Sequence, residues 1–266
     1  MELFFREFGN GYPLVILHGL YGSSDNWTGI ARELSDTFRV IVPDMRNHGQ
    51  SPHHPEHSYD EMSNDLLELT HKLGVDRFIL AGHSMGGKAA VWFSKRWPER
   101  ISGLIVVDIS PFKAEIIGNP SYKFHREILR AMINAKPETL ETRDEAWSIF
   151  DGIVESPRIR KFLLKNITRS GKGLFMWKLN PEYLESNLVN ILDGLNKSTD
   201  TARPLTGFPV KFLKAENSDY ISEEEIPLIY KVFPAAEIET VNGTSHWLHD
   251  EKPEVFIGSV REILGS

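Results

Sequence analysis

Short apolar runs alternate with stretches of helical periodicity along most of the chain. Residues 14–17 (LVIL), 39–43 (RVIVP), 78–81 (FILA), 104–107 (LIVV), 210–213 (VKFL) and 237–241 (EIETV) read as strands. The central runs are apolar at consecutive rather than alternate positions, the pattern of strands covered on both faces. Between them, residues 27–35, 59–73, 86–96, 223–233 and 253–264 carry apolar side chains at helical spacing. This alternation predicts an α/β fold, a mostly parallel central sheet flanked by helices.

The rhythm breaks between Ser110 and Pro204. Helical patterns continue at 122–133, 146–154, 159–167 and 183–192, with no convincing strand, and the stretch is bracketed by the turn-forming "SPF" and "TARPLTGFP". The expectation is a core formed by 1–110 and 205–266, with a helical insertion at 111–204 following the strand that ends near Val107.

Composition narrows the chemistry. At 266 residues and 41% hydrophobic content, the chain can bury one sizeable core. Its 30 Lys plus Arg against 37 Asp plus Glu give a net charge of -7, so no overall basic field recruits nucleic acid or anionic membrane. With no cysteine, a disulfide framework, a thiolate metal site and a cysteine nucleophile are excluded. "MELFFREFGN" lacks the basic start and longer apolar run of a signal peptide, and no apolar segment is long enough to span a bilayer. The expected setting is cytoplasmic, without membrane insertion. "HHPEH" (His53 to His57) reads as solvent-facing loop rather than a metal site, since ligands must converge and carry outer support.

One stretch carries a specific signal. In "FILAGHSMGGKAAVWF" a strand pattern stops at Gly82-His83-Ser84 and a helical pattern resumes. Gly82 and Gly86 permit a strand-to-helix turn too tight for larger side chains, and Ser84 then stands at a helix N-terminus, where backbone N–H groups favour developing negative charge. A serine hydroxyl needs a base, and imidazole suits that task near neutral pH. His246, in "VNGTSHWLHDEKPEVF", follows the last strand and so falls at the same carboxyl edge as Ser84; His249 is a nearby competitor. The base in turn needs a carboxylate. Asp108, after LIVV, and Asp219, in "KAENSDYIS", both end strands at that edge and both give the chain order Ser, Asp, His.

The segments "LHGLYGSSDNW", "DMRNHGQSP", "GHSMGGKAA", "VVDISP" and "GTSHWLHDEKPE" resemble the α/β-hydrolase superfamily, most closely its bacterial YbfF-type esterases and the related mitochondrial-type abhydrolase group. The resemblance runs from about Leu14 to the C-terminus and fades in the insertion, which it identifies as a cap over the site. In much of the superfamily the acid follows the next-to-last strand; that slot falls near Ser218 here, with Asp219 one position along. In the YbfF-like group the acid lies in an Asp-Ile-(Ser/Ala)-Pro segment, which favours Asp108, with Ser84 and His246 as nucleophile and base.

An oxyanion needs N–H donors. Met85, following the nucleophile, supplies one backbone N–H, and "HGLYG" resembles the family's His-Gly-x segment, placing the Leu20 N–H as the second. His18 is expected to shape that loop. Trp27, Trp177 and Trp247 are candidate pocket walls, with core packing as the alternative, and His83 flanks the serine at the pocket. Asp44, Arg46, Asn47 and His48 suit a hydrogen-bonded turn, and Lys88 reads as solvated or ion-paired.

The reading is a serine hydrolase cleaving small-molecule carboxylic esters or thioesters through an acyl-enzyme, with no cofactor and no metal. Cofactor-free haloperoxidase or perhydrolase chemistry and carbon-carbon bond hydrolysis use the same three residues. A binding or interaction module built on the pocket is the non-enzyme alternative. The serine at the elbow argues against haloalkane dehalogenase and epoxide hydrolase, which need an aspartate there.

Overall fold

The apolar runs become the middle of a sheet because each leaves no polar side chain to turn toward water. The computed structural model describes residues 1–116 and 118–265. Its strands are β1 (Phe5–Phe8), β2 (Tyr12–Leu17), β3 (Phe38–Pro43), β4 (Phe78–His83), β5 (Ile101–Val107), β6 (Ile167–Arg169), β7 (Phe175–Trp177), β8 (Val210–Ala215) and β9 (Ala236–Val241). Seven form one sheet in the order β1-β3-β2-β4-β5-β8-β9. Only β1, on the edge, runs antiparallel to its neighbour; the other pairings are parallel. The α/β expectation is borne out.

Successive residues of the central strands feed two different cores. Leu14, Ile16, Ile79 and Ala81 pack on one face with α1 (Thr28–Leu34) and the C-terminal α10 (Pro253–Glu262). Val15, Leu17, Phe78 and Leu80 pack on the other with α2 (Tyr59–Lys72) and α3 (Met85–Arg96). The remaining helices are α4 (Pro120–Asn134), α5 (Pro157–Leu164), α6 (Pro181–Ser186), α7 (Leu188–Ile191), α8 (Ile226–Val232) and α9 (Leu248–Glu251). Apolar residues between Ser110 and Pro204, among them Ile128, Leu129, Met132 and Leu163, join the same cluster as Leu80 and Ala89. These residues of α4 and α5 therefore belong to the core on the α3 side of the sheet.

Three local readings change. Residues 167–169 and 175–177 pair as a small antiparallel hairpin where no strand was expected, because three-residue strands are too short to show a period of two. β1 was likewise unassigned; it is a four-residue, partly exposed edge strand. Residues 144–150 form a 3₁₀ segment instead of the helix expected over 146–154. Among the described residues, no helix is long and apolar enough to cross a membrane.

The topology determines where chemistry collects. With β4, β5, β8 and β9 adjacent and parallel, the loops leaving their carboxyl ends lie side by side. The register sets His83 opposite Val107 and Val107 opposite Leu213, so the residues that follow, Ser84 and Asp108, emerge level with each other.

Candidate active site

Ser84 sits between β4 and α3 with φ 53° and ψ -121°, a conformation that disfavours any side chain. The turn is closed by two glycines for different reasons. A Cβ on Gly82 would lie 2.2 Å from the Gly86 carbonyl oxygen, and one on Gly86 would lie 2.4 Å from the Leu17 carbonyl oxygen of β2. One glycine thus lets the helix approach its own strand and the other lets it approach the neighbouring strand. Ser84 itself is only partly buried while the residues around it are buried. Its hydroxyl stands at the N-terminus of a 12-residue helix whose first-turn amides have no intrahelical acceptor.

Four non-glycine residues of the described chain have positive φ: Tyr21, Asn47, Ser84 and Asp108. Three of them belong to the loops around Ser84, and strain of about 1–3 kcal/mol per residue is retained where surrounding structure enforces it.

Asp108 is fully buried and accepts three hydrogen bonds. The Ala215 N–H donates to Oδ1 at 2.9 Å; the Ser218 hydroxyl and His246 Nδ1 donate to Oδ2 at 2.5 and 2.8 Å. Because a carboxylate only accepts, His246 Nδ1 carries a proton, and the neutral tautomer of the ring is the one with its lone pair on Nε2. The imidazole is held from other directions as well. Tyr220 stacks on it at 4.0 Å between ring centres and 24° between planes, and buried His83 donates from Nε2 to the His246 carbonyl at 2.8 Å. Burial pushes His83 well below its ordinary histidine value, so it is a neutral ring. Ser84 and His246 line one cavity. Among the described residues no hydrogen bond joins their side chains, a contact that commonly closes only with substrate.

The loop after β2 is braced by two neutral histidines. The Met45 N–H donates to His18 Nε2 at 2.9 Å, leaving Nδ1–H to donate to the Gly19 carbonyl at 2.8 Å. His48 accepts the Tyr21 N–H at 3.3 Å and hydrogen-bonds the Arg46 carbonyl through Nδ1 at 2.9 Å. Both rings are buried, and burial lowers both pKa values. Asp44 ties the adjacent turn together, accepting from Ser24 N and Gln50 N at 2.6 and 2.8 Å. Leu20, at the loop's tip, and Met85 line a common cavity with Ser84.

Residues 12–253 match the family described as alpha/beta hydrolase fold. The chain belongs to that family. It is 37% identical over 262 residues to the sn-1-specific diacylglycerol lipase ABHD11 of Danio rerio, spanning 96% of this chain and 79% of that protein. It is 32% identical over 255 residues to Esterase YbfF of Escherichia coli (strain K12), spanning 96% and 94%. A solved structure described as a marine microorganism esterase is similar throughout, with TM-score 0.93, 43% identity and 99% of each chain covered.

Within this α/β hydrolase, several candidate residues lie elsewhere than the sequence suggested. Trp27 is 1% exposed, stacked on His249 at 4.4 Å and packed on Phe256 in the core of the opposite face, so it is no pocket wall. Trp177 is spent on packing and on donating its Nε1–H to the Met132 carbonyl at 3.0 Å. Trp247 and His83 do line the cavity shared by Ser84 and His246. His249 is buried between Trp27 and His83, with burial pulling its pKa to about 3, and the histidine that bonds to Asp108 is His246 instead. Asp219 is exposed at the cavity mouth, while Ser218 beside it bonds to Asp108.

Lys88 is not solvated, and among the described residues it forms no ion pair. It is 5% exposed and donates to the carbonyls of Phe112, Leu192 and Asp193 at 2.7, 3.2 and 2.7 Å, joining α3 to the loops after β5 and α7. Burial lowers its pKa to about 8, with Asp193 opposing the shift. His57 is also buried rather than solvent-facing; it packs beside Asn47 and His48, and burial pulls its pKa to about 3. Ser218 and Tyr220 had no assigned role in the sequence reading. The only available signal was position, since Ser218 occupies the slot where much of the superfamily carries its acid.

Proposed function

We propose that this α/β hydrolase cleaves carboxylic esters through Ser84 as nucleophile, His246 as base and Asp108 as the group that orients and charge-stabilises the imidazole. The observation that carries the reading is the 2.8 Å bond between His246 Nδ1 and Asp108 Oδ2, which leaves Nε2 as the proton acceptor in the cavity lined by Ser84. The relatives named esterase and lipase support the choice of ester as substrate class.

In the first half-reaction His246 Nε2 takes the Ser84 hydroxyl proton as Oγ bonds to the acyl carbon. The carbonyl oxygen becomes an oxyanion facing the Leu20 and Met85 N–H groups. Collapse breaks the bond to the alcohol oxygen, which leaves with the proton from His246. Water then gives a proton to His246 and attacks the acyl-enzyme; the proton returns to Ser84 Oγ as the acid departs. The balance is ester plus water to acid plus alcohol, with the protein unchanged.

Hydrolysis of a p-nitrophenyl ester series from acetate to palmitate, by wild type and Ser84→Ala side by side, tests the reading. Activity that vanishes with Ser84 is the expected result. Activity retained by a folded Ser84→Ala variant overturns it.

A further inference from the structure

The space at Ser84 divides into two cavities that share Leu20, Ser84, His125 and Tyr220. The larger, about 270 Å³, extends along α3 past Met85, Lys88, Ile109 and Phe112 to Ile191. The smaller, about 60 Å³, is walled by Phe124, Ile128, Ile159, Phe162 and Leu163. His246 lines the smaller cavity and is not among the residues lining the larger one.

That asymmetry decides which half of an ester goes where. The proton taken from Ser84 must be delivered to the leaving oxygen, so that oxygen has to lie on the His246 side. We infer that ester substrates bind with the alcohol portion in the small apolar cavity beside His246 and the acyl chain in the larger cavity along α3. The inference rests on the triad reading above.

Size and charge then define the substrate class. Beyond Ser84, His246 and the two histidines whose pKa values burial lowers, His83 and His125, the walls of the small cavity are hydrocarbon and aromatic, which suit a compact apolar alcohol and offer no carboxylate or ammonium group to a charged one. The larger cavity is lined by Lys88, Lys113, Lys197, Glu115, Asp219 and Glu225. Each of its cations is engaged: Lys88 by three carbonyls, Lys197 by Glu225 at 2.9 Å and Lys113 by Asp193 at 3.5 Å. An anionic acyl terminus would have to compete with these partners for an ammonium group, and Glu115 and Asp219 oppose it. The assigned class is esters of compact apolar alcohols with a neutral acyl chain as the longer part.

Two substitutions separate the cavities. Leu192, on the wall of the larger, and Ile159, on the wall of the smaller, are both partly buried, so added volume enters the cavity rather than a closed core. Rates are measured on p-nitrophenyl acetate through octanoate and, by pH-stat titration, on methyl through hexyl butyrate. Leu192→Phe is expected to lower the octanoate-to-acetate ratio of kcat/KM about 10-fold, leaving the hexyl-to-methyl ratio unchanged. Ile159→Phe is expected to lower the hexyl-to-methyl ratio about 10-fold, leaving the acyl profile unchanged. Should either variant fail to fold, Leu192→Ala and Ile159→Ala serve instead and shift the same ratios upward. Crossed or unmoved ratios overturn the assignment. A third comparison, p-nitrophenyl hydrogen succinate against p-nitrophenyl butyrate, is expected to favour butyrate at least 10-fold, and a preference for the anionic ester overturns the neutral-acyl assignment. Activity persisting in Ser84→Ala would instead strike the triad reading, whereas Ser84-dependent activity with crossed ratios strikes only the orientation.

Discussion

Replacing Asp108 with asparagine exchanges one oxygen for an NH₂ group and, with it, moves the proton on His246. Asp108 accepts on both oxygens, from Ala215 N on Oδ1 and from Ser218 Oγ and His246 Nδ1 on Oδ2. An amide has a single acceptor oxygen. If that oxygen faces His246, the NH₂ group meets the buried Ala215 N–H, and leaving that donor unmatched costs about 1–3 kcal/mol. The favoured orientation therefore keeps the oxygen on Ala215 and turns the NH₂ toward His246 Nδ1. The ring must then accept at Nδ1 and carry its proton on Nε2, where it cannot act as base. In a serine hydrolase such an exchange lowers kcat about 10⁴-fold, equivalent to about 5 kcal/mol at 1.36 kcal/mol per decade. The fold should survive, because Asp108 sits at φ 46°, a region asparagine enters as readily as aspartate. Asp219→Asn, at an exposed residue, should change the rate by less than about 3-fold, consistent with the small effects of surface substitutions. The assay is p-nitrophenyl butyrate hydrolysis with the thermal midpoint measured in parallel. An Asp108→Asn variant within 10-fold of wild type, or a collapse of activity in Asp219→Asn, would refute the reasoning.

Three further outcomes are expected. Ser218→Ala removes one of two donors from Asp108 Oδ2 and should lower kcat about 10-fold with KM little changed; an unchanged kcat would count against a positioning role. Lys88→Met strips the donor from one buried and two partly buried carbonyls and should cost about 3 kcal/mol, a fall in Tm of roughly 6–12 °C, read by calorimetry. His57 and His249 are each pulled from the ordinary 6.5 to about 3 by burial. Unfolding lets both take up protons, so their contribution is complete above pH 6.5 and is lost as the pH falls toward 3, by about 1.4 kcal/mol per pH unit for each. Denaturant titrations across that window should show the slope, and His57→Asn should remove one histidine's share of it.

How much of this was legible in the sequence depended on how local each signal was. Continuous apolar runs marked the central strands because both faces of a parallel sheet are covered, so β2, β4 and β5 needed no knowledge of their partners. The elbow was equally local: two glycines within five residues, between a strand pattern and a helix pattern. Ser84 and Asp108 directly follow adjacent parallel strands, and strand order alone sets them side by side; His246 lies in the loop after β9, two strands from β5, at the same sheet edge, and that loop must fold back to reach Asp108. Trp27 and Trp177 were different. Whether an indole faces a cavity or a core depends on how the helix or hairpin beside it docks, and both are consumed by packing. Lys88 shows the same gap in reverse, since a charged side chain within a helix gives no sign that three carbonyls over 100 residues away and nearer will enclose it. The Tyr220 stack on His246 depends likewise on where the loop after β8 folds back.

The central claim is that Ser84 carries the acyl group, and covalent trapping tests it most directly. The folded protein is incubated with a p-nitrophenyl alkylphosphonate, and its intact mass and proteolytic peptides are measured by mass spectrometry. The account predicts a single phosphonyl adduct on the peptide containing Ser84, loss of ester hydrolysis in step with labelling, and no adduct in Ser84→Ala. Labelling of another residue, or full hydrolytic activity in folded Ser84→Ala, would contradict it.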